Sequence, residues 1–119
     1  MKAYTDIEQS KKLAEILPLE TADMAWEKHT NAEPHVTVKP WTTKGESIGA
    51  HVLPCWSLAA LLGILSCPNL EQTMISKDAS KWGCDAAYEG EPTFYSELHD
   101  EAVDACVDVI YQLKESNLL

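Results

Sequence analysis

The chain contains no arginine: all nine of its basic residues are lysines, set against nineteen acidic ones. Arginine supplies the planar two-pronged grip on phosphate, carboxylate and guanine edges. Its absence excludes phosphoryl transfer that relies on an in-chain arginine finger. A net charge of −10 with no clustered basic surface also argues against nucleic acid as a partner, since that binding rests on counterion release from phosphates. The five glycines, Gly45, Gly49, Gly63, Gly83 and Gly90, form neither a Walker loop nor a dinucleotide fingerprint, so we expect no nucleotide and no other cofactor.

The four cysteines, Cys55, Cys67, Cys84 and Cys106, are separated by 11, 16 and 21 residues, so no Cys-x-x-Cys pair exists. His29 and His35 stand six apart and His35 and His51 sixteen apart, and neither spacing matches a recognised ligand pair. An Asp-x-Asp-x-Asp-Gly calcium loop is missing as well. No metal site is therefore expected. The longest apolar run, Leu58 to Leu65, is too short to cross a bilayer, which removes the membrane as a partner. Polar residues follow Lys2 at once, at Thr5, Asp6, Glu8 and Gln9, so we expect no signal peptide. The expectation is a cytoplasmic protein with reduced thiols packed as small hydrophobes.

What is present fits an ordinary globular chain. Its 119 residues, 45% hydrophobic and 24% charged, predict one domain over 1–119. Acidity is concentrated late: from Asp85 to Asp108 there are eight acids and no lysine. A helix is predicted from Thr5 or Asp6 to Leu17, with Thr5 as cap and Glu8 in capping-box position, Ile7, Ser10, Ala14 and Leu17 along one face, and Pro18 as stop. Short strands are predicted within 21–29, at Val36-Thr37-Val38 ahead of Pro40, and within 48–53 ahead of Pro54, with a loop over 42–47. The run Trp56 to Leu65 is apolar on most faces and predicts a buried helix.

Two strands, 73–77 and 82–89, flank the polar turn Asp78-Ala79-Ser80-Lys81 and predict a hairpin. The clearest pattern comes last: Ala102, Val103, Cys106, Val107, Ile110 and Leu113 recur at helical spacing within 100–116, with Asn117 as stop. The fold class is α+β, a small antiparallel sheet packed against helices in the order α-β-β-α-β-β-α.

Three stretches carry a resemblance. They are Tyr4 through Met24, the segment Pro54-Cys55-Trp56-Ser57-Leu58-Ala59-Ala60-Leu61-Leu62, and the ending from Val103-Asp104-Ala105-Cys106-Val107 to Leu118-Leu119. Together they resemble a family of small uncharacterised proteins encoded by gut anaerobic bacteria, often in prophages or other mobile elements. The resemblance implies an intracellular accessory protein. It supplies no activity, substrate or catalytic residue.

Three functional readings follow. Cys55 is a catalytic candidate because a thiol at a helix start has its thiolate favoured by the local positive potential. The Cys55-Trp56 pair is similar to that of papain-like cysteine proteases, although Val52-Leu53-Pro54 stands where that family has a glycine-rich approach. Such a nucleophile needs an imidazole from His29, His35, His51 or His99. The acidic residues Asp100, Asp104 and Asp108, spaced to share one helix face opposite the apolar stripe, are candidates for binding a basic surface, as in an acidic inhibitor of a DNA-binding enzyme. Trp41, beside Pro40 and a Gly-containing loop, is the tryptophan expected to be exposed and to anchor a partner. The favoured reading is a non-catalytic module that binds a host or phage protein, with homodimerisation as a further option.

Overall fold

The structure is a computed structural model that describes residues 2–27, 33–38, 52–66, 70–88 and 93–118. Its class is α+β. The chain forms α1 (Ile7–Ile16), β1 (Met24–Glu27), β2 (His35–Val38), β3 (Val52–Cys55), α2 (Leu58–Leu65), β4 (Leu70–Asp78), β5 (Lys81–Tyr88), β6 (Thr93–Tyr95) and α3 (Ala102–Glu115). The strands make two antiparallel three-stranded sheets, in the orders β2-β1-β3 and β4-β5-β6, where the sequence pattern predicts one. The reason is local: β3 pairs with β1, and β4 turns directly into β5. The chain divides into two compact units, 4–60 and 1–3 with 61–119.

In the first unit, α1 starts one residue later than expected. Asp6, not Thr5, is the cap: it accepts from the Gln9 N–H at 2.8 Å, and the Gln9 side chain accepts from the Asp6 N–H at 3.1 Å. Thr5 and Asp6 are both capping residues with a reciprocal partner three positions on, so the local rule fits either register. Tertiary contacts decide, because the Thr5 hydroxyl is engaged elsewhere. The buried face of α1 is Ser10 and Leu13, and Ala14 is exposed rather than buried. A single 3₁₀ turn, Leu19–Thr21, follows Pro18 and leads into β1.

β3 runs through Pro54 instead of ending before it. It lies at the edge of its sheet, where a strand has one ladder to satisfy and a missing N–H is tolerated. Helix α2 begins at Leu58 because Ser57 caps it, its Oγ accepting from the Ala60 N–H at 3.1 Å. Leu61 and Leu65 are its buried residues, and Ala59 and Gly63 are exposed.

In the second unit, the predicted hairpin is present with the predicted turn. Asp78 pairs with Lys81, and Ala79 takes a positive φ of 55°. A positive φ at the first central position alone marks a II′-type turn, which matches the twist of the strands it joins. Strand β6 has no counterpart among the predicted strands: three residues between unpatterned neighbours carry no periodicity of their own. It pairs with β5 as Asp85↔Tyr95, Ala86↔Phe94 and Ala87↔Thr93. Beyond it the chain keeps to β5 but slips by one residue, since Trp82 and His99 exchange backbone hydrogen bonds of 2.7 and 2.8 Å. At this bulge the Ser96 Oγ stands in for a backbone carbonyl, accepting from the Cys84 N–H at 2.8 Å.

Every residue of the predicted α3 stripe is buried, joined by Ala105 and Val109. The helix packs on β5 and β6. Asn117 ends it in the left-handed region, with Leu118 N–H bonded to Leu113 O at 2.9 Å and Asn117 N–H to Lys114 O at 3.0 Å. That pair of bonds is a Schellman cap, and asparagine tolerates its positive φ.

Candidate functional site

In the unit 4–60, chemistry-bearing side chains converge on Thr5. Its N–H donates to Trp56 O at 2.9 Å, and its hydroxyl accepts from the Trp56 N–H at 3.2 Å. The Thr5 and Ser10 hydroxyls are 2.8 Å apart, and the Thr5 hydroxyl also donates to Cys55 Sγ at 3.6 Å. Cys55 in turn donates to Thr5 O at 3.4 Å, which the Trp26 indole N–H reaches at 3.0 Å. One proton order satisfies the whole chain, from Ser10 to Thr5 to Cys55 and back to the Thr5 carbonyl.

Two further bonds fix the surroundings. The Trp56 indole donates to the Thr21 hydroxyl at 2.9 Å, and Thr21 donates to Pro18 O at 2.6 Å. The Asp23 carboxylate holds Ser57 through its N–H at 2.9 Å and through its hydroxyl. Tyr4 meets Trp26 edge to face, with ring centroids 5.7 Å apart.

Cys55 therefore sits at the end of β3 and not on the first turn of α2. It is fully buried. Burial pushes its thiol up, and the bonds from Thr5 and Ser10 offset this only in part. A nucleophilic cysteine needs the opposite shift and access to substrate. Of the imidazoles, His29 and His51 lie outside the described residues. His35 stands on β2 opposite Glu27, at the other end of the ladder from Met24 and Cys55 and with β1 between. His99 belongs to the other unit, where it is bonded to Asp108.

The second unit holds two more buried thiols, Cys84 on β5 and Cys106 on α3. They hydrogen-bond each other. That bond, with burial, pushes the Cys84 thiol far up, while Cys106 as its partner moves down. Their contact also shows which face of β5 the helix covers: Cys84 and Ala86 face α3, so Asp85 and Ala87 face away.

The acidic row takes a different form from the expected helix face. Asp100 precedes α3, because Glu101 is extended and the helix begins at Ala102. It pairs with Lys81, whose hydrogen bond and charge hold its carboxyl below the usual range. Asp104 pairs with Lys2 Nζ at 2.7 Å, while the Lys2 N–H donates to Glu101 at 2.8 Å. Asp108 is mostly covered and accepts from the Glu97 N–H at 2.9 Å, His99 Nε2 at 3.0 Å and Gln112 Nε2 at 3.0 Å. Trp41 lies outside the described residues.

Partial burial would raise the Asp108 carboxyl, but the bonds from His99, Gln112 and Glu97 outweigh it and hold it low. A carboxyl depressed by folding contributes stability above its ordinary range, near pH 3.9, and loses it as pH falls through the folded value. Asp108→Asn is expected to cost about 1–2 kcal/mol at pH 7, a charged acceptor being lost from a largely covered knot. Urea unfolding of both proteins at pH 7 and at about pH 3 checks this. The gap should narrow at the lower pH, and an unchanged gap would show that the carboxylate charge is not what matters.

One face of the second sheet is unlike the rest. Met74, Asp85 and Tyr95 form a cross-strand row on the side away from α3. Met74 is 47% exposed, Tyr95 63% and Leu98 60%, the large hydrophobic residues most open to solvent among those described. The bulge after β6 lays Leu98 over Gly83 on the same side, its Cδ2 at 3.5 Å from where a Cβ would stand. Met74, Asp85, Ala87, Thr93 and Tyr95 line a depression of about 140 Å³ there. No sequence pattern points to this face, because Tyr95 joins it only through a strand with no periodicity of its own.

Among the described residues, no three histidine, cysteine or acidic side chains are gathered as a metal set, and no helix is long and apolar enough to cross a membrane. No protein-family model, curated protein or solved structure matches the chain.

Proposed function

We propose that this chain is a non-catalytic accessory protein, of the phage or mobile-element kind its sequence resembles, that acts inside the cell by binding another protein. The observation that carries this reading is the exposed row of Met74 and Tyr95, continued by Leu98, on the face of the second sheet away from α3. Exposed large apolar side chains grouped on one face, with polar neighbours, are the usual mark of an interaction surface. Aromatic and methionine side chains are also enriched in interface centres. Reactive-thiol chemistry at Cys55 draws no support from a buried sulfur whose ionisation is disfavoured. Blocking a DNA-binding enzyme through the acidic helix draws little, since Asp100, Asp104 and Asp108 each already hold an internal partner.

The test is affinity capture from host lysate with the native protein and a Met74→Ser, Tyr95→Ser, Leu98→Ser variant side by side. Removing interface anchors is expected to weaken binding by about thirtyfold or more, so the variant should lose a stoichiometric partner that the native protein retains. Equal retention by both proteins would overturn the reading, and so would the lack of any stoichiometric partner.

A further inference from the structure

The depression on the second sheet is lined by a carboxylate that the other described residues leave unmatched. Asp85 makes no ion pair and no side-chain hydrogen bond among the described residues. Its surroundings are a thioether from Met74, the Tyr95 side chain, the Thr93 side chain and the methyl of Ala87. The nearby sequence offers no cation either, for residues 85–108 contain eight acids and no lysine. On the same hairpin, Lys81 is engaged by Asp100. Lys77 lies over the Trp82 ring at 5.5 Å and, by register, on the opposite face from the Met74–Asp85–Tyr95 row.

We propose that this depression takes a lysine or arginine side chain from a basic segment of a partner protein, with Asp85 as the recognising charge. The proposal rests on the interaction reading above and specifies its chemistry. A cation entering here would gain a charge-assisted hydrogen bond from Asp85. The exposed Tyr95 ring would offer its π face to the same cation, and Met74 a polarisable surface for the methylenes of the incoming chain. The volume, about 140 Å³, suits the end of one long side chain and not a folded element. A net charge of −10 would draw a basic segment toward the molecule in general. Asp85 and its apolar walls would decide where it docks.

The test uses tetralysine as probe and NMR shift mapping on the isotope-labelled full chain. The expected result is saturable shifts centred on Met74, Asp85, Ala87, Thr93 and Tyr95. Tetralysine acetylated at its side chains should give none. Asp85→Asn, its fold verified by its spectrum, should weaken tetralysine about tenfold or more. Glu115→Gln, which removes an exposed acid at the end of α3, should change it less than twofold. Shifts spread over the acidic surface, or equal losses for the two variants, would overturn the proposal. So would self-association that Asp85→Asn abolishes, since the depression would then hold a lysine of a second copy. The capture experiment separates the two claims. A partner lost by the Met74, Tyr95, Leu98 variant but kept at full affinity by Asp85→Asn would leave the interaction face standing and remove the cation.

Discussion

Trp56→Ala is expected to lower the unfolding free energy by about 3–5 kcal/mol, a large share of the 5–15 kcal/mol typical of a small domain. Trp56 is among the largest fully buried side chains of the molecule. Its removal leaves a cavity, which the surrounding structure closes only in part. The side chain also has a polar role, because its indole N–H donates to Thr21, which in turn ties down the carbonyl of Pro18. Trp56→Phe separates the two contributions. It keeps most of the apolar volume and loses the indole bond, so its cost should fall to roughly half that of the alanine variant. Urea unfolding of the three proteins, followed by circular dichroism, checks the order. An alanine variant within about 1 kcal/mol of the parent would mean that Trp56 is not packed as described.

Thr5→Val is the second large effect, expected to cost about 2–3 kcal/mol although the two side chains have nearly the same shape. The hydroxyl is fully buried and serves three neighbours: the Trp56 N–H, the Ser10 hydroxyl and the Cys55 thiol. A methyl in its place leaves a buried backbone donor unsatisfied, and an orphaned buried polar group costs about 1–3 kcal/mol. The backbone of Thr5 is unaffected by the change, so its bonds with Trp56 O and the Trp26 indole should persist. Ser10→Ala supplies the internal control. If the two hydroxyls act as one network, the double variant should cost less than the sum of the singles by about 0.5 kcal/mol or more. Strict additivity would show that they act independently.

These two residues also mark the limit of what the sequence discloses. Helix α3 is legible because six apolar positions recur at its period, and the hairpin because a four-residue turn with three polar residues separates two strand-like runs. Both signals are local and redundant. Thr5 reads as a helix cap, wrongly, because Thr5 with Glu8 and Asp6 with Gln9 fit the same motif. The choice is made by Trp56, more than fifty residues away. Asp100, Asp104 and Asp108 illustrate the same limit. Their spacing suggests one open face, but their partners, Lys81, Lys2 and His99, all lie outside the helix, where its periodicity gives no sign of them. The Met74–Asp85–Tyr95 row is hidden for a similar reason. It exists only through the register of three strands, one of them three residues long.

We infer that the thiols of the described cysteines, Cys55, Cys84 and Cys106, are structural and that the proposed work of the protein is done by a surface; Cys67 lies outside the described residues. Peptide-mapped alkylation of the native protein at neutral pH tests it most directly. Cys55, Cys84 and Cys106 are all fully buried, so each should react only as fast as the structure opens, and quickly once urea unfolds it. Rapid labelling of Cys55 in the folded protein, at the rate of an exposed thiolate, would contradict the claim and return Cys55 to the position of a nucleophile.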